Sequence, residues 1–276
     1  MALAAMVKAA YRLAMSADIV NLRAFYSSLL GRLAERSIAS ALAAIWTKLP
    51  DERLVGLGYA LPWLERLGSD AERVLAFMPA RLGALRWPAG KPTASALVFE
   101  EELPLADSSV DRILLVHALE HAEDPRRMLM EIWRVLAPGG RLVVVVPNRR
   151  GLWARFEHTP FGTGRPYSRA QLVEILRETN FTPGVWADTL HFPPAQQRWI
   201  MRLHRVLDRM GDRFWPLFAG VLVVEAEKRL LQGVPVTARK VKRALVPVLT
   251  PQGVTHREGA NARRYTPCKG SSPNSA

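Results

Sequence analysis

The stretch from Asp111 to Asn148, DRILLVHALEHAEDPRRMLMEIWRVLAPGGRLVVVVPN, constrains the fold of this chain more than any other. Asp111–Val116 is a short apolar run suited to a strand buried on both faces. Arg126–Leu136 follows with Met128, Leu129, Ile132, Val135 and Leu136 at spacings of three and four, the apolar stripe of an amphipathic helix. Pro138-Gly139-Gly140 ends that helix, and Leu142–Val146 is a second β-branched run closed by Pro147. Two buried strands around one helix form a crossover unit, and a parallel sheet follows from it.

The rest of the chain repeats the alternation. Short apolar runs at Arg53–Leu57, Arg73–Phe77 and Ala96–Phe99 precede this stretch, and Gly184–Leu190 and Phe218–Ala226 follow it. Helical patterns occupy Asp18–Leu49 (with Gly31 as a break), Trp63–Leu67 behind Pro62, Arg169–Glu178 behind the N-cap Ser168, and Ala195–Met210. Six or seven strands interleaved with helices predict an α/β fold. It would be a Rossmann-like, doubly wound, mostly parallel sheet with an N-terminal helical extension, its last strand antiparallel at one end. The expected organisation is a helical segment over 1–50, an α/β domain over 51–227 and a basic tail over 228–276.

Charge supports that division. The net charge is +13, and the last 49 residues hold ten Lys/Arg against one acidic residue, Glu258. This leaves +4 on residues 1–227. A basic tail rich in Gly, Ser, Asn and Pro has little to bury and is expected to be a solvated, disordered extension. It would hold nucleic acid by charge, but few aromatics are interleaved for base stacking. No run of 18 apolar residues occurs, and Lys8 and Arg12 interrupt the apolar N-terminus, so neither a membrane span nor a targeting segment is expected. The single cysteine, Cys268, excludes an internal disulfide and fits a reducing, cytoplasmic compartment.

Two motifs carry chemistry. Gly56-Leu57-Gly58-Tyr59 stands between a strand and a helix, where glycine permits a tight turn and close approach of a ligand, though a plain strand–helix turn uses glycine as well. His117-Ala-Leu-Glu120-His121 follows a buried strand. H-x-x-E-H is also a zinc-helix pattern, but Glu123-Asp124-Pro125 restarts the chain two residues later, so a long zinc helix is not expected and no metal is predicted. His117 is instead placed at the sheet's carboxyl edge, where open α/β sheets bind ligands, with Glu120 and His121 as helix-start residues. The alternative is that both histidines simply pack there.

Read together, Gly56-Leu-Gly58-Tyr, Leu103-Pro-Leu-Ala-Asp107-Ser-Ser-Val110-Asp111, His117-Ala-Leu-Glu120-His121 and Leu136-Ala-Pro138-Gly139-Gly140 resemble the ordered motifs of class I S-adenosylmethionine-dependent methyltransferases, the type 11 subgroup above all. The resemblance covers Arg53–Phe192 and implies the seven-stranded methyltransferase fold. It implies a cofactor site at Gly56, Leu57, Gly58, Tyr59, Met78, Phe99, Glu100, Glu101 and His117. The acidic positions depart from the family pattern: Leu54 stands two positions before the first glycine where an acidic residue is usual, the second strand ends Phe77-Met78-Pro79, and Phe99 stands where an Asp is usual. Glu100 or Glu101 would have to swing in, or backbone groups replace the carboxylate; Phe99 would stack on the adenine. His117 and His158 are the candidates for a general base, the latter in the loop Arg149–Tyr167 that would cover the acceptor. In that loop Trp153, Phe156, Phe161 and Tyr167 suit an apolar acceptor, and Arg149, Arg150 and Arg165 an acidic one. The implied activity is methyl transfer from S-adenosylmethionine to a small molecule; the alternative is a non-catalytic relative that binds or regulates a partner.

Overall fold

Seven strands form one sheet in the order β3-β2-β1-β4-β5-β7-β6. They are β1 Arg53–Gly58, β2 Arg73–Pro79, β3 Ser95–Val98, β4 Val110–Val116, β5 Leu136–Pro147, β6 Phe181–Trp186 and β7 Val221–Lys228. The helices are α1 Ile19–Ser27, α2 Leu29–Ile45, α3 Leu61–Leu67, α4 Pro125–Val135 and α5 Arg169–Glu178. The structure, a computed structural model, describes residues 18–194 and 219–229. The predicted helix Ala195–Met210, Cys268 and the basic tail beyond 229 lie outside the described residues.

Strands β1 to β5 pair in parallel, as the crossover pattern requires, and β7 runs antiparallel to both its neighbours. The antiparallel strand is therefore not at the end of the sheet. β7 is apolar and buried on both faces, which suits an inner position. β6 takes the edge, where Pro183, lacking an N–H, is tolerated.

Several element boundaries differ from expectation. The predicted strand Gly184–Leu190 lies earlier, at Phe181–Trp186, with a register shift between Pro183 and Trp186. The N-terminal helix breaks at Ser28, not Gly31: Ser28 caps α2 by accepting from the Gly31 N–H, and a Cβ on Gly31 would lie 1.9 Å from the Phe25 carbonyl oxygen. Pro138-Gly139-Gly140 lies inside β5, where pairing with β4 is irregular between Val110 and Arg112. Strand β7 also runs through Lys228, whose buried Nζ donates to the Leu136 carbonyl at 2.6 Å.

The strand alternation divides the core in two. Leu54, Met78, Leu114, Val116, Val143 and Val223 face a cluster that includes Leu22, Tyr26, Leu33, Ile38 and Leu42 of α1 and α2. Leu57, Ile113, Leu115, Val144 and Val224 face α4 and α5. Asp124 caps α4 by accepting from the N–H groups of Arg126 and Arg127, and Met128, Leu129, Ile132 and Val135 are fully buried. Each such side chain stabilises the fold by about 1.5–3 kcal/mol. Among the described residues no helix is long and apolar enough to cross a membrane.

One buried charge ties distant parts together. Glu225 in β7 accepts from the Trp46 indole N–H at 2.8 Å and from Arg141 at 3.2 Å, and pairs with Arg112 at 3.9 Å. Glu225→Ala leaves a buried indole N–H and two guanidinium groups without this acceptor. It is expected to cost about 2–4 kcal/mol in urea denaturation. Glu225→Gln keeps the Trp46 bond and should recover part of that loss.

Candidate functional site

The carboxyl ends of β1 and β4 lie side by side, with Gly58 opposite Val116. On one side β1 continues to β2 and β3, and on the other β4 continues outward, so this is the point where strand order reverses and ligands bind in open α/β sheets. β1 ends in the glycine turn and α3 follows, with Pro62 in its first turn. A Cβ at Gly56 would sit 2.6 Å from a Leu64 methyl of α3 and 2.8 Å from the Ala60 Cβ, so the turn packs closely on β1 there. Gly58 has φ 90°, and its Cβ would lie 2.1 Å from the Val116 carbonyl oxygen. The same oxygen accepts from the Tyr59 N–H at 2.8 Å. Both glycines thus serve the packing of β1 against its own helix and β4.

Beyond Val116 the chain reverses through His117, a non-glycine residue at φ 50°. His117 is 1% exposed and is held at both ring nitrogens. Nδ1 lies 3.0 Å from Glu120 Oε1, and Nε2 lies 2.7 Å from the Tyr26 hydroxyl. Burial works to raise the Glu120 carboxyl, but the hydrogen bond from His117, with the neighbouring imidazoles of His117 and His121 adding to it, outweighs burial and holds the carboxyl below its ordinary value. An ionised Glu120 only accepts, so Nδ1 carries the proton in the neutral ring and Nε2 accepts from Tyr26. Burial, with Tyr59, Glu120 and Glu35 adding to it, pushes the Tyr26 phenol well above its ordinary value, which keeps it a donor.

Tyr26 comes from α1, which lies across the carboxyl edge of the sheet. At one end the Ile19 N–H donates to the Leu82 carbonyl at 2.8 Å in the loop after β2. At the other, Phe25 packs edge-on against Phe161 at 6.2 Å. Between them Tyr26 stacks on Tyr59 at 5.3 Å and meets Trp63 edge-on at 5.5 Å. Phe161 closes the group from the far side, 4.9 Å from the His117 ring. The space over the glycine turn is therefore filled by aromatic side chains.

The structure brings Gly56, Leu57, Gly58, Tyr59 and His117 together, with Tyr26, Trp63, Glu120 and Phe161 as further members. Met78 is buried in the core on the α1 side. Phe99 is 73% exposed, and Glu100 and Glu101 are paired with Arg81 and Arg127 respectively. His158 lies in the loop after β5, beside Phe156, with Nε2 3.4 Å from the Pro194 carbonyl oxygen. Of the aromatics expected to line an acceptor, Trp153, Phe161 and Tyr167 are core residues and Phe156 is exposed. Residues 117–121 form a turn, not the start of a helix; α4 starts at Pro125.

Burial pushes His121 below its ordinary value, against the pull of Glu120 and with His117 and Arg81 adding to the shift. A histidine with a folded pKa below its unfolded one favours folding above about pH 6.5 and loses that contribution as the pH falls toward the folded value. Thermal melts are expected to show stability falling from pH about 7 toward 5, with a shallower slope in His121→Gln.

Residues 55–144 match the methyltransferase domain family. The segment is 40% identical over 87 residues to O-methyltransferase resE of Aspergillus sclerotiorum, covering 29% of this chain and 32% of that one. It is 38% identical over 88 residues to demethylmenaquinone methyltransferase of Deinococcus radiodurans, covering 30% and 34%. The chain spans about a third of the length of these curated relatives. Among solved structures, a methyltransferase of Thermotoga maritima described as S-adenosylmethionine-dependent superposes with a TM-score of 0.53 at 20% identity, covering 75% of this chain and 94% of that one. Matching motifs, strand order and crossover together place the segment 55–144 in the methyltransferase domain family, within a class I methyltransferase fold.

Proposed function

We propose that the protein transfers a methyl group from S-adenosylmethionine to a small-molecule acceptor. The observation that carries this reading is the glycine turn of β1 set beside His117 at the point where strand order reverses, inside the segment that matches the methyltransferase family. S-adenosylmethionine would supply an electrophilic methyl on sulfur. His117 is the residue best placed to hold a proton at the cleft, through Nε2, with Glu120 fixing the ring.

In the closed arrangement these residues do not fit the cofactor. Tyr26, Tyr59 and Trp63 fill the space above Gly58, and β2 ends at Pro79 without a carboxylate. Binding therefore needs α1 to move aside. The filled cleft also favours a second reading, a non-catalytic relative in which the aromatic group is a permanent core. Calorimetry with S-adenosylmethionine on the full chain and on Tyr26→Ala separates them. Heat of binding in either supports methyl transfer; no heat in both at millimolar cofactor, with both proteins folded, supports the non-catalytic reading.

A further inference from the structure

We propose that His117, Glu120 and His121 form a binding site for a divalent first-row transition cation, on the side of His117 that faces away from the cleft. Their ligand atoms all lie within 4.8 Å of one another. Donors bound tetrahedrally at 2.0–2.2 Å from one ion stand roughly 3.3 Å apart, so a small closing of the side chains completes the set. Two histidine nitrogens and one carboxylate are a donor set that suits zinc and its neighbours.

The independent observation is unsatisfied bonding capacity. Glu120 is 4% exposed, and its Oε2 has no hydrogen-bond partner. His121 Nε2 is likewise shielded and without a partner. A carboxylate oxygen and an imidazole nitrogen left so in a buried site are costly unless something bonds to them. No long helix accommodates the pattern H-x-x-E-H. The turn achieves the convergence another way: the left-handed His117 and the His121 N–H bond to the Ala118 carbonyl at 3.0 Å fold the three side chains together. Gly164 lets the loop after β5 close over them, since a Cβ there would be 2.6 Å from Glu120 Cγ and 2.9 Å from His121 Cε1.

A cation on Nδ1 has a consequence at the cleft. The ring proton must then sit on Nε2, which reverses the bond to Tyr26: the imidazole donates and the phenol oxygen accepts. Metal state would set the polarity of the group that faces the cleft. The site shares His117 and Glu120 with the cleft, and it is tested by metal binding alone, without methyl transfer. Full-length protein stripped with a chelator is titrated with zinc by calorimetry and with cobalt by visible ligand-field absorption. One ion per chain is expected, with Glu120→Gln and His121→Gln each weakening zinc binding about tenfold or more. No binding at about 100 µM zinc overturns the site, as does equal affinity in the wild type and both variants. Should Glu120→Gln fail to fold, the half-buried His121→Gln decides alone.

Discussion

Gly58→Ala is expected to lower stability by about 3–5 kcal/mol, near the upper end of single substitutions. At φ 90° a side chain is strained by about 1–2 kcal/mol. The larger part is steric. The new Cβ would sit 2.1 Å from the Val116 carbonyl oxygen and 2.9 Å from the Ala118 Cβ, so β1 and β4 must part where they pair. Parting them also breaks the Tyr59 N–H bond to Val116, worth about 1 kcal/mol. For a domain of this size the melting temperature should fall by roughly 10 °C. Gly139 is the control: its φ is 72° and nothing lies within 4 Å of its Cβ. Gly139→Ala should cost only the backbone strain, about 1 kcal/mol. Equal losses at the two positions would show that backbone strain alone accounts for the effect at Gly58.

The same contacts explain what was legible in the sequence. The sheet was readable because β1, β4, β5 and β7 are largely buried and each carries a short apolar run. Order along the chain then restricts the topology through the handedness of crossovers. The glycine turn was readable as a turn, but the reason for the glycines is closure of β1 on Leu64 and Val116, which no spacing reveals. His117 was placed at the sheet edge by its position after an apolar strand. Its partner Tyr26 was invisible because 91 residues separate them and Tyr26 reads as one more apolar position of a helix. Glu225 shows the same limit: it interrupts an apolar run, and only the fold brings Trp46 and Arg141 to it. The convergence of His117, Glu120 and His121 was present as a spacing, but Glu120 and His121 were expected at a helix start where the chain makes a turn.

At the proposed cofactor site, Tyr26→Ala is expected to destabilise the protein and to raise the affinity for S-adenosylmethionine. The phenol is 5% exposed, stacks on Tyr59, meets Trp63 and donates to His117. Removing a buried aromatic of this kind costs about 3–5 kcal/mol, of which the ring contacts and the hydroxyl bond are part. These contacts hold α1 against the carboxyl ends of β1 and β4. A ligand whose site is exposed only when α1 leaves binds with an affinity reduced by the open fraction. If α1 closure is weakened by about 2 kcal/mol, the open fraction rises roughly thirtyfold and the apparent affinity rises with it. Tyr26→Phe keeps the ring and loses only the hydroxyl, so its gain should be a few-fold. Calorimetry at a temperature well below both melting transitions measures the two effects apart. A folded Tyr26→Ala protein that binds no more tightly than the wild type would show that α1 is not the barrier, because the aromatic group above Gly58 would then be filled from within the sheet's own loops.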